Sequence, residues 1–545
     1  MIGELTIARD VPARMRDGVV LRANVYRPTA AGPWPTLLTR TPYGKDLPGC
    51  AAWLDPVRSA AAGFMVIVQD VRGRFASDGE WEPFRHEGTD GYDTVQWAAG
   101  LDGSNGRVGM FGLSYWGSTQ WLAAIAQPPA LHAIAPGMTW SDPDDGLLRR
   151  GGAVQLAAGV VWGLEQGLDH VRRSGDPPRQ VERRLRRLVD ARDSVAQSGL
   201  WQLPASVSSL LGAHGVPGLG EGAAGAARCR VSGRHDRVRV PVFGIGGWHD
   251  AFLQGVLDNH AAMDALGRET RIVIGPWSHA NWTDAVGGLS FGTVARMDGG
   301  PAGGPEDLGA MQLDWFRHQL DPAAAPGPTW PAVRVFVMGI NRWREEERWP
   351  PPEGSPQRWY LRPGGGLSPA APDDDEPAGT FVYDPSDPVP STPAGTSLSS
   401  PDPSGPVDQT AIEARPDVLV FTSPPLAHDL EVAGRVRAGL HAHSSAPSTD
   451  WVARLCDVHP DGSSHRICDG ILRVAGDAQR PQYHEIDLWS THNVFRRGHR
   501  VRLQITSSSF PRWDRNLGTG DQGVAAHRPA HQRVQSGSWV ELPVR

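Results

Sequence analysis

Arg107-Val108-Gly109-Met110-Phe111-Gly112-Leu113-Ser114-Tyr115-Trp116-Gly117 decides how the rest of the chain is read. Val108, Met110 and Phe111 predict a buried strand, and the run from Thr119 to Ala126 predicts a helix, with Ser114 at the turn between them. A nucleophile at such a turn has strained backbone angles and crowded neighbours, so the flanking positions favour glycine or small residues and the hydroxyl stands out over the sheet. The spacing here is Gly-x-Ser-x-x-Gly, one residue longer than the Gly-x-Ser-x-Gly pattern. The shorter pattern does occur, at Gly288-Leu289-Ser290-Phe291-Gly292, but no apolar strand precedes it and no helical pattern follows, which predicts a loop.

Working outward, Val19 to Arg27, Pro35 to Thr39 and Phe64 to Gln69 read as strands, with helical stretches at Ala51 to Ala62 and Gly91 to Ala99. Alternating strands and helices imply α/β architecture, a parallel sheet with helices on both faces. From about Ser141 to Val238 the alternation stops. Helices at Ala153 to Leu164 and Val181 to Val195 mark this stretch as an insertion, because strands resume at Pro241 to Gly247 and Arg271 to Gly275, followed by a helix at Gly309 to Leu320. After Pro331 the character changes. Arg348 to Pro406 is rich in Pro, Gly, Ser and Asp and predicts long loops. Alternation then returns at Leu430 to Ala442 and Val501 to Ile505, as in the half-buried strands of a β-sandwich.

The 545 residues exceed one compact core, and a net charge of -7 without a basic tract argues against nucleic acid as a partner. Arginines 183, 184, 186 and 187 lie among Val181, Leu185, Leu188 and Val189 at helical spacing, so they form the solvated face of an amphipathic helix. Cys50, Cys229, Cys456 and Cys468 have neither metal-ligand nor disulfide-framework spacing. No stretch approaches the roughly 20 apolar residues that span a bilayer. A cytoplasmic protein without membrane contact, metal or cofactor is expected, and a homodimer is left open.

A serine hydroxyl needs a histidine base, and that base needs a carboxylate to fix its tautomer. In sheet-based hydrolases the order is Ser, then Asp or Glu, then His, each at the carboxyl end of a strand. Trp248-His249-Asp250 follows the strand ending at Gly247, and Pro276-Trp277-Ser278-His279 follows the strand ending at Gly275. Asp250 and His279 are therefore the candidates. His249 is the rival base, and Asp258 and Asp236 are rival acids that follow no strand end. Oxyanion donors are needed too. The Tyr115 amide is one; a phenol at Tyr43, in Thr41-Pro42-Tyr43-Gly44, is placed for the other, although a packed loop aromatic explains Tyr43 equally well at this stage.

Taken with Gln69-Asp70-Val71-Arg72-Gly73 and Ser507-Ser508-Ser509-Phe510-Pro511-Arg512, these motifs resemble the cocaine esterase and X-prolyl dipeptidyl aminopeptidase family, which also includes α-amino acid ester hydrolases and glutaryl-cephalosporin acylases. That family's elbow is Gly-x-Ser-Tyr-x-Gly, which accounts for the longer spacing. The resemblance implies an α/β-hydrolase core (1–140 and 239–325), an inserted helical cap (141–238) and a C-terminal jelly-roll β-sandwich (326–545). It further implies Ser114, Asp250 and His279 as the triad, Tyr43 and the Tyr115 amide as oxyanion donors, and Trp162, Phe252, Leu147 and Trp116 as substrate-binding positions. Trp162 matches an acyl-pocket tryptophan, Phe252 an aromatic beside the acid, and Leu147 a site held by tryptophan in the esterase member. At 116 the α-amino acid ester hydrolases carry a glutamate for a substrate ammonium, which an indole cannot pair. A small-molecule ester with a neutral, aromatic or apolar acyl group is the resulting expectation. An acylase or X-prolyl peptidase with the same triad, its cation met by Asp142, Asp144 and Asp145, and a non-catalytic binding protein are the alternatives.

Overall fold

A computed structural model describes residues 5–203, 206–219, 223–299, 307–321, 327, 330–352, 354–372, 377–391, 405–475, 479–520 and 525–545. Among these, ten strands form one sheet: β1 (Leu5–Arg14), β2 (Val20–Pro28), β3 (Trp34–Thr41), β4 (Met65–Asp70), β5 (Ser104–Leu113), β6 (Leu131–Gly137), β7 (Val242–His249), β8 (Thr270–Ser278), β9 (Val333–Val337) and β10 (Arg342–Glu346). Their order is β1-β2-β4-β3-β5-β6-β7-β8-β9-β10, parallel from β4 to β9 and antiparallel at both edges.

The parallel strands are continuous apolar runs because helices cover both faces. Leu37, Val66, Val68, Phe111 and Phe243 pack on one side, and Leu38, Met65, Ile67, Met110 and Ile134 on the other. The covering helices include α1 (Glu87–Ala99), α2 (Ser114–Ala126), α5 (Leu253–Ala265) and α6 (Leu308–Leu320), whereas α3 (Leu156–Arg172) and α4 (Pro178–Ser194) lie off the sheet around a core of their own. The helix expected over 51–62 is two short ones, Gly49–Trp53 and Pro56–Ala61. Pro56 pushes Asp55 out of helical geometry, and the Asp55 carboxylate then accepts the Val57 and Arg58 amides as an N-cap.

Strands β9 and β10 lie beyond the expected boundary at 326. Val333 pairs in parallel with Ile272 of β8, and Val333, Val335 and Phe336 are fully buried, so the first sheet runs on to Glu346. Nor are the described residues after Arg348 all long loops, residues 353, 373–376 and 392–404 of that stretch lying outside the described residues. Its described part holds strands Ser355–Arg362, Gly366–Ser368 and Pro377–Tyr383, which bury Trp359, Leu361, Phe381 and Tyr383 in the second core. Its prolines and glycines punctuate short strands.

That second core is enclosed by antiparallel strands that include Leu430–Ser444, Ser448–Val458, Ser464–Ala475, Gln482–Phe495, Arg500–Thr506 and Trp539–Val544. Along Leu430–Ser444, Val436, Ala438, Leu440 and Ala442 point inward while Arg435, Arg437 and His441 are exposed, the period of two expected of a sandwich face.

Helix α3 stands between the loops of the first sheet and the sandwich, and α4 packs on its outer side. Leu188 buries the inner face of α4, and Arg183, Arg186 and Arg187 are solvated as expected, though Val189 is 42% exposed and joins them on the outside. At the start of α3, the amides of Leu156 and Ala157 donate to the carbonyls of Arg512 and Pro511 at 3.0 and 3.1 Å. Those amides have no intrahelical acceptor, so the Ser507–Arg512 segment of the sandwich caps the helix.

Candidate active site

Strand β5 ends at Leu113 and α2 begins at Ser114, whose φ of +57° is a conformation side-chain-bearing residues rarely adopt. Two glycines make the turn possible. Gly112 has φ +132° and lies where a Cβ would meet the Trp116 Cβ at 2.9 Å; a Cβ on Gly117 would meet the Gly137 carbonyl oxygen at 2.8 Å. The second glycine can therefore stand three residues after the serine, where α2 crosses β6.

Ser114 Oγ lies 3.0 Å from His279 Nε2, and His279 Nδ1 lies 2.6 Å from Asp250 Oδ2. The other carboxylate oxygen accepts the Phe252 amide at 2.7 Å, and the Phe252 ring stands edge-on to the imidazole with centroids 5.1 Å apart. All three relay residues are buried. His249 takes no part: its Nε2 has no hydrogen-bond partner, its ring leans on Phe291, and burial pushes its pKa down to about 3. Asp258 is occupied by the Gln254 amide, and Asp236 is exposed. Ser290 is also exposed, in a hairpin of Ala285–Val286 with Leu289–Ser290.

Tyr43 follows β3 and reaches Ser114. Loss of hydration pushes its pKa up to about 12, against the pull of a hydrogen bond from the Trp162 indole and another shared with Ser114. The phenol is thus neutral, and a donor, throughout the ordinary pH range. The Tyr115 amide lies in the first turn of α2, where no intrahelical acceptor precedes it. The Tyr115 side chain is turned away, its hydroxyl donating to Glu87 Oε1 at 2.9 Å and accepting the Phe84 amide.

The cleft above Ser114 is lined by Tyr43, Phe84, Trp140, Leu147, Trp162 and Phe252. Trp116, expected at the substrate, does not line it. At about 100° per residue along a helix, position 116 faces nearly opposite to 114. Its buried indole instead packs against the Tyr43 ring at 6.1 Å. Asp142 and Asp144 are also spent, both bonded to Arg230, while the Asp145 carboxylate accepts the Trp489 indole.

The sandwich forms the far wall with Asp469, Trp489, Arg466 and Arg512, none singled out as a site residue from sequence. Burial alone would raise the Asp469 pKa, but Arg512, Arg466 and Arg150 outweigh it and hold the carboxyl below its usual range. Only the Ser507–Arg512 motif signalled this wall. Elsewhere among the described residues, Asp457, His459 and His499 come together within 4.8 Å at adjacent strand ends, where Asp457 already pairs with His499 Nδ1 at 2.9 Å. Cys229, Cys456 and Cys468 are free thiols; the Cys50 side chain lies outside the described residues.

A strained serine at a strand-to-helix turn, a buried imidazole and a carboxylate at successive strand ends define an α/β-hydrolase of the serine type. Comparison with known proteins narrows the class. The model for X-Pro dipeptidyl-peptidase (S15 family) matches residues 17–281, and that for the X-Pro dipeptidyl-peptidase C-terminal non-catalytic domain matches 328–539. A cocaine esterase from Rhodococcus sp. (strain MB1 Bresler) is 34% identical over 601 aligned residues, covering 99% of each chain. Two solved structures, an aminopeptidase from a marine sediment Thaumarchaeota archaeon and an α-amino acid ester hydrolase, share the fold with TM-scores of 0.80 and 0.78. Each is 24% identical, and each alignment covers 100% of this chain and 97% of the other. The chain belongs to the S15 family, built as an α/β-hydrolase core joined to a β-sandwich, and is a serine ester hydrolase.

Proposed function

We propose that the chain cleaves carboxylic esters with a neutral, aromatic or apolar acyl group through an acyl-enzyme on Ser114. The reading rests on the Ser114–His279–Asp250 relay, at 3.0 and 2.6 Å, opening into an aromatic-walled cleft. His279 takes the Ser114 proton as the hydroxyl attacks the acyl carbon, gives it to the departing alcohol, and then activates the water that releases the acid. Asp250 holds the imidazole with Nε2 facing the serine. The oxyanion accepts from Tyr43 and the Tyr115 amide.

Trp162, Phe252 and Leu147 form the acyl wall, with Trp140 and Phe84 beside them. Trp116 supports Tyr43 from behind and touches no substrate. In functional terms the catalytic unit is the first sheet with its helices, residues 141–238 are the cap, and the sandwich closes the cleft. The substrate is a small molecule, and the enzyme works without metal, cofactor, nucleic acid or membrane, in the cytoplasm; whether it pairs with a second copy does not enter the chemistry.

The amino-terminal peptidase alternative finds little support. A substrate ammonium needs a free carboxylate, and the acids lining the cleft are Asp250, committed to His279, and Asp469, committed to arginines. Hydrolysis of a panel of p-nitrophenyl acyl esters beside alanyl-prolyl-p-nitroanilide, by wild type and Ser114→Ala, tests the assignment. Ester turnover that rises with aromatic acyl groups and vanishes in the variant is expected. Anilide cleavage would move the enzyme to the peptidase alternative.

A further inference from the structure

Along α3, residues Trp162, Gln166 and Asp169 fall at intervals of four and three, one stripe of the helix, and that stripe faces the loops after β3 and β4. The Trp162 indole N–H donates to the Tyr43 phenol oxygen at 3.1 Å. One turn on, Arg74 joins the same two elements: its Nε donates to the Pro42 carbonyl at 2.9 Å, and its two terminal nitrogens donate to the carbonyl and side-chain oxygens of Gln166, each at 2.9 Å. The guanidinium also lies over the Trp81 ring at 4.4 Å, and Trp81 packs on Trp162 at 5.7 Å. Asp169 accepts the Phe75 amide at 3.1 Å. The cap helix is therefore pinned to the residue before Tyr43 and, through Trp162, to the Tyr43 hydroxyl.

A phenol oxygen carries one proton and a limited set of lone-pair directions. With an indole N–H already on that oxygen, the remaining O–H turns away from α3, toward Ser114. Donation into the oxygen also draws electron density from the O–H bond and makes it a better donor. We propose that Trp162 is a positioning residue for the oxyanion hole, aiming and strengthening the Tyr43 hydroxyl, in addition to walling the acyl group. This deepens the reading above and rests on Tyr43 being an oxyanion donor. Arg74 holds the register that lets the contact form.

The two roles of Trp162 separate in a double-mutant cycle. Trp162→Phe, Tyr43→Phe and the double variant are assayed on p-nitrophenyl acetate and p-nitrophenyl benzoate, with circular dichroism and thermal melting as fold controls. Trp162→Phe should lower kcat about tenfold on both esters, the worth of one hydrogen bond of about 1.4 kcal/mol, with KM within about twofold. The double variant should match Tyr43→Phe alone, because the indole has nothing left to act through. Losses that multiply, or a Trp162→Phe effect confined to KM for the benzoate, overturn the proposal and leave Trp162 as wall only. An unchanged kcat in Tyr43→Phe overturns the oxyanion reading itself, and this proposal with it. If Trp162→Phe does not fold, benzothienylalanine incorporated at 162 keeps the indole shape and removes the N–H; undiminished kcat in that protein is the overturning result.

Discussion

Gly112–Gly117 and Gly288–Gly292 carry nearly the same letters and share almost nothing physically. Ser114 is buried at the junction of a parallel strand and a helix, with φ +57° and an imidazole at 3.0 Å, while Ser290 is exposed in a two-residue hairpin strand. The difference lies in what surrounds each serine. Glycine at 112 and 117 is demanded by crowding from Trp116, Thr39 and the Gly137 carbonyl, whereas Gly292 has open space around it and is favoured only by its φ of +80°. A nucleophile motif is a statement about crowding as much as about sequence.

Substitutions can break or sharpen that contrast. Ser114→Ala should cost about 10⁶-fold in kcat, and a serine-reactive phosphonate mapped by mass spectrometry should label Ser114 and leave Ser290 unmodified. Asp250→Asn keeps the volume but presents the wrong hydrogen-bond partner to His279 Nδ1; steady-state ester hydrolysis should fall about 10⁴-fold. Tyr43→Phe should lower kcat about 100-fold through loss of one oxyanion donor. In wild type, a Tyr43 pKa pushed up to about 12 keeps the donor protonated as pH rises, so kcat should not decline between about pH 8 and pH 10, as it would if the phenol ionised at its ordinary value near 10. Gly117→Ala drives a methyl into the Gly137 carbonyl, for a stability loss of about 1–3 kcal/mol by urea titration and a kcat loss of about tenfold. Ser290→Ala should leave kcat and KM within about twofold of wild type.

The relay was legible because each member stands at the end of a continuous apolar strand. Val242 to Gly247 leads into Asp250, Arg271 to Gly275 into His279, and the chain order leaves few other choices. Trp116 misled because likeness to a relative fixes a position in the chain but not which way a helix turns its side chains. The end of the first sheet was missed because Val333–Val337 followed a change in composition, and composition does not report which neighbour a buried strand finds. The arginine wall was invisible for a different reason. Arg466 and Asp469 are three residues apart on one strand, but Arg512 joins them from 43 residues on and Arg150 from 319 residues before, so the cluster forms only when the chain has folded around it.

Capping of α3 by the Pro511 and Arg512 carbonyls bears on how such enzymes can be recombined. The cap helix and the sandwich segment at its N-terminus form one structural unit written in two distant parts of the gene. A chimera that exchanges caps between relatives while keeping the host sandwich would part a helix end from its acceptors, and with it the helix that carries Trp162. Crossover points that move residues 153–172 and 507–514 together preserve that unit, and libraries built on such paired exchanges should yield a larger share of folded enzymes than those cut at cap boundaries alone.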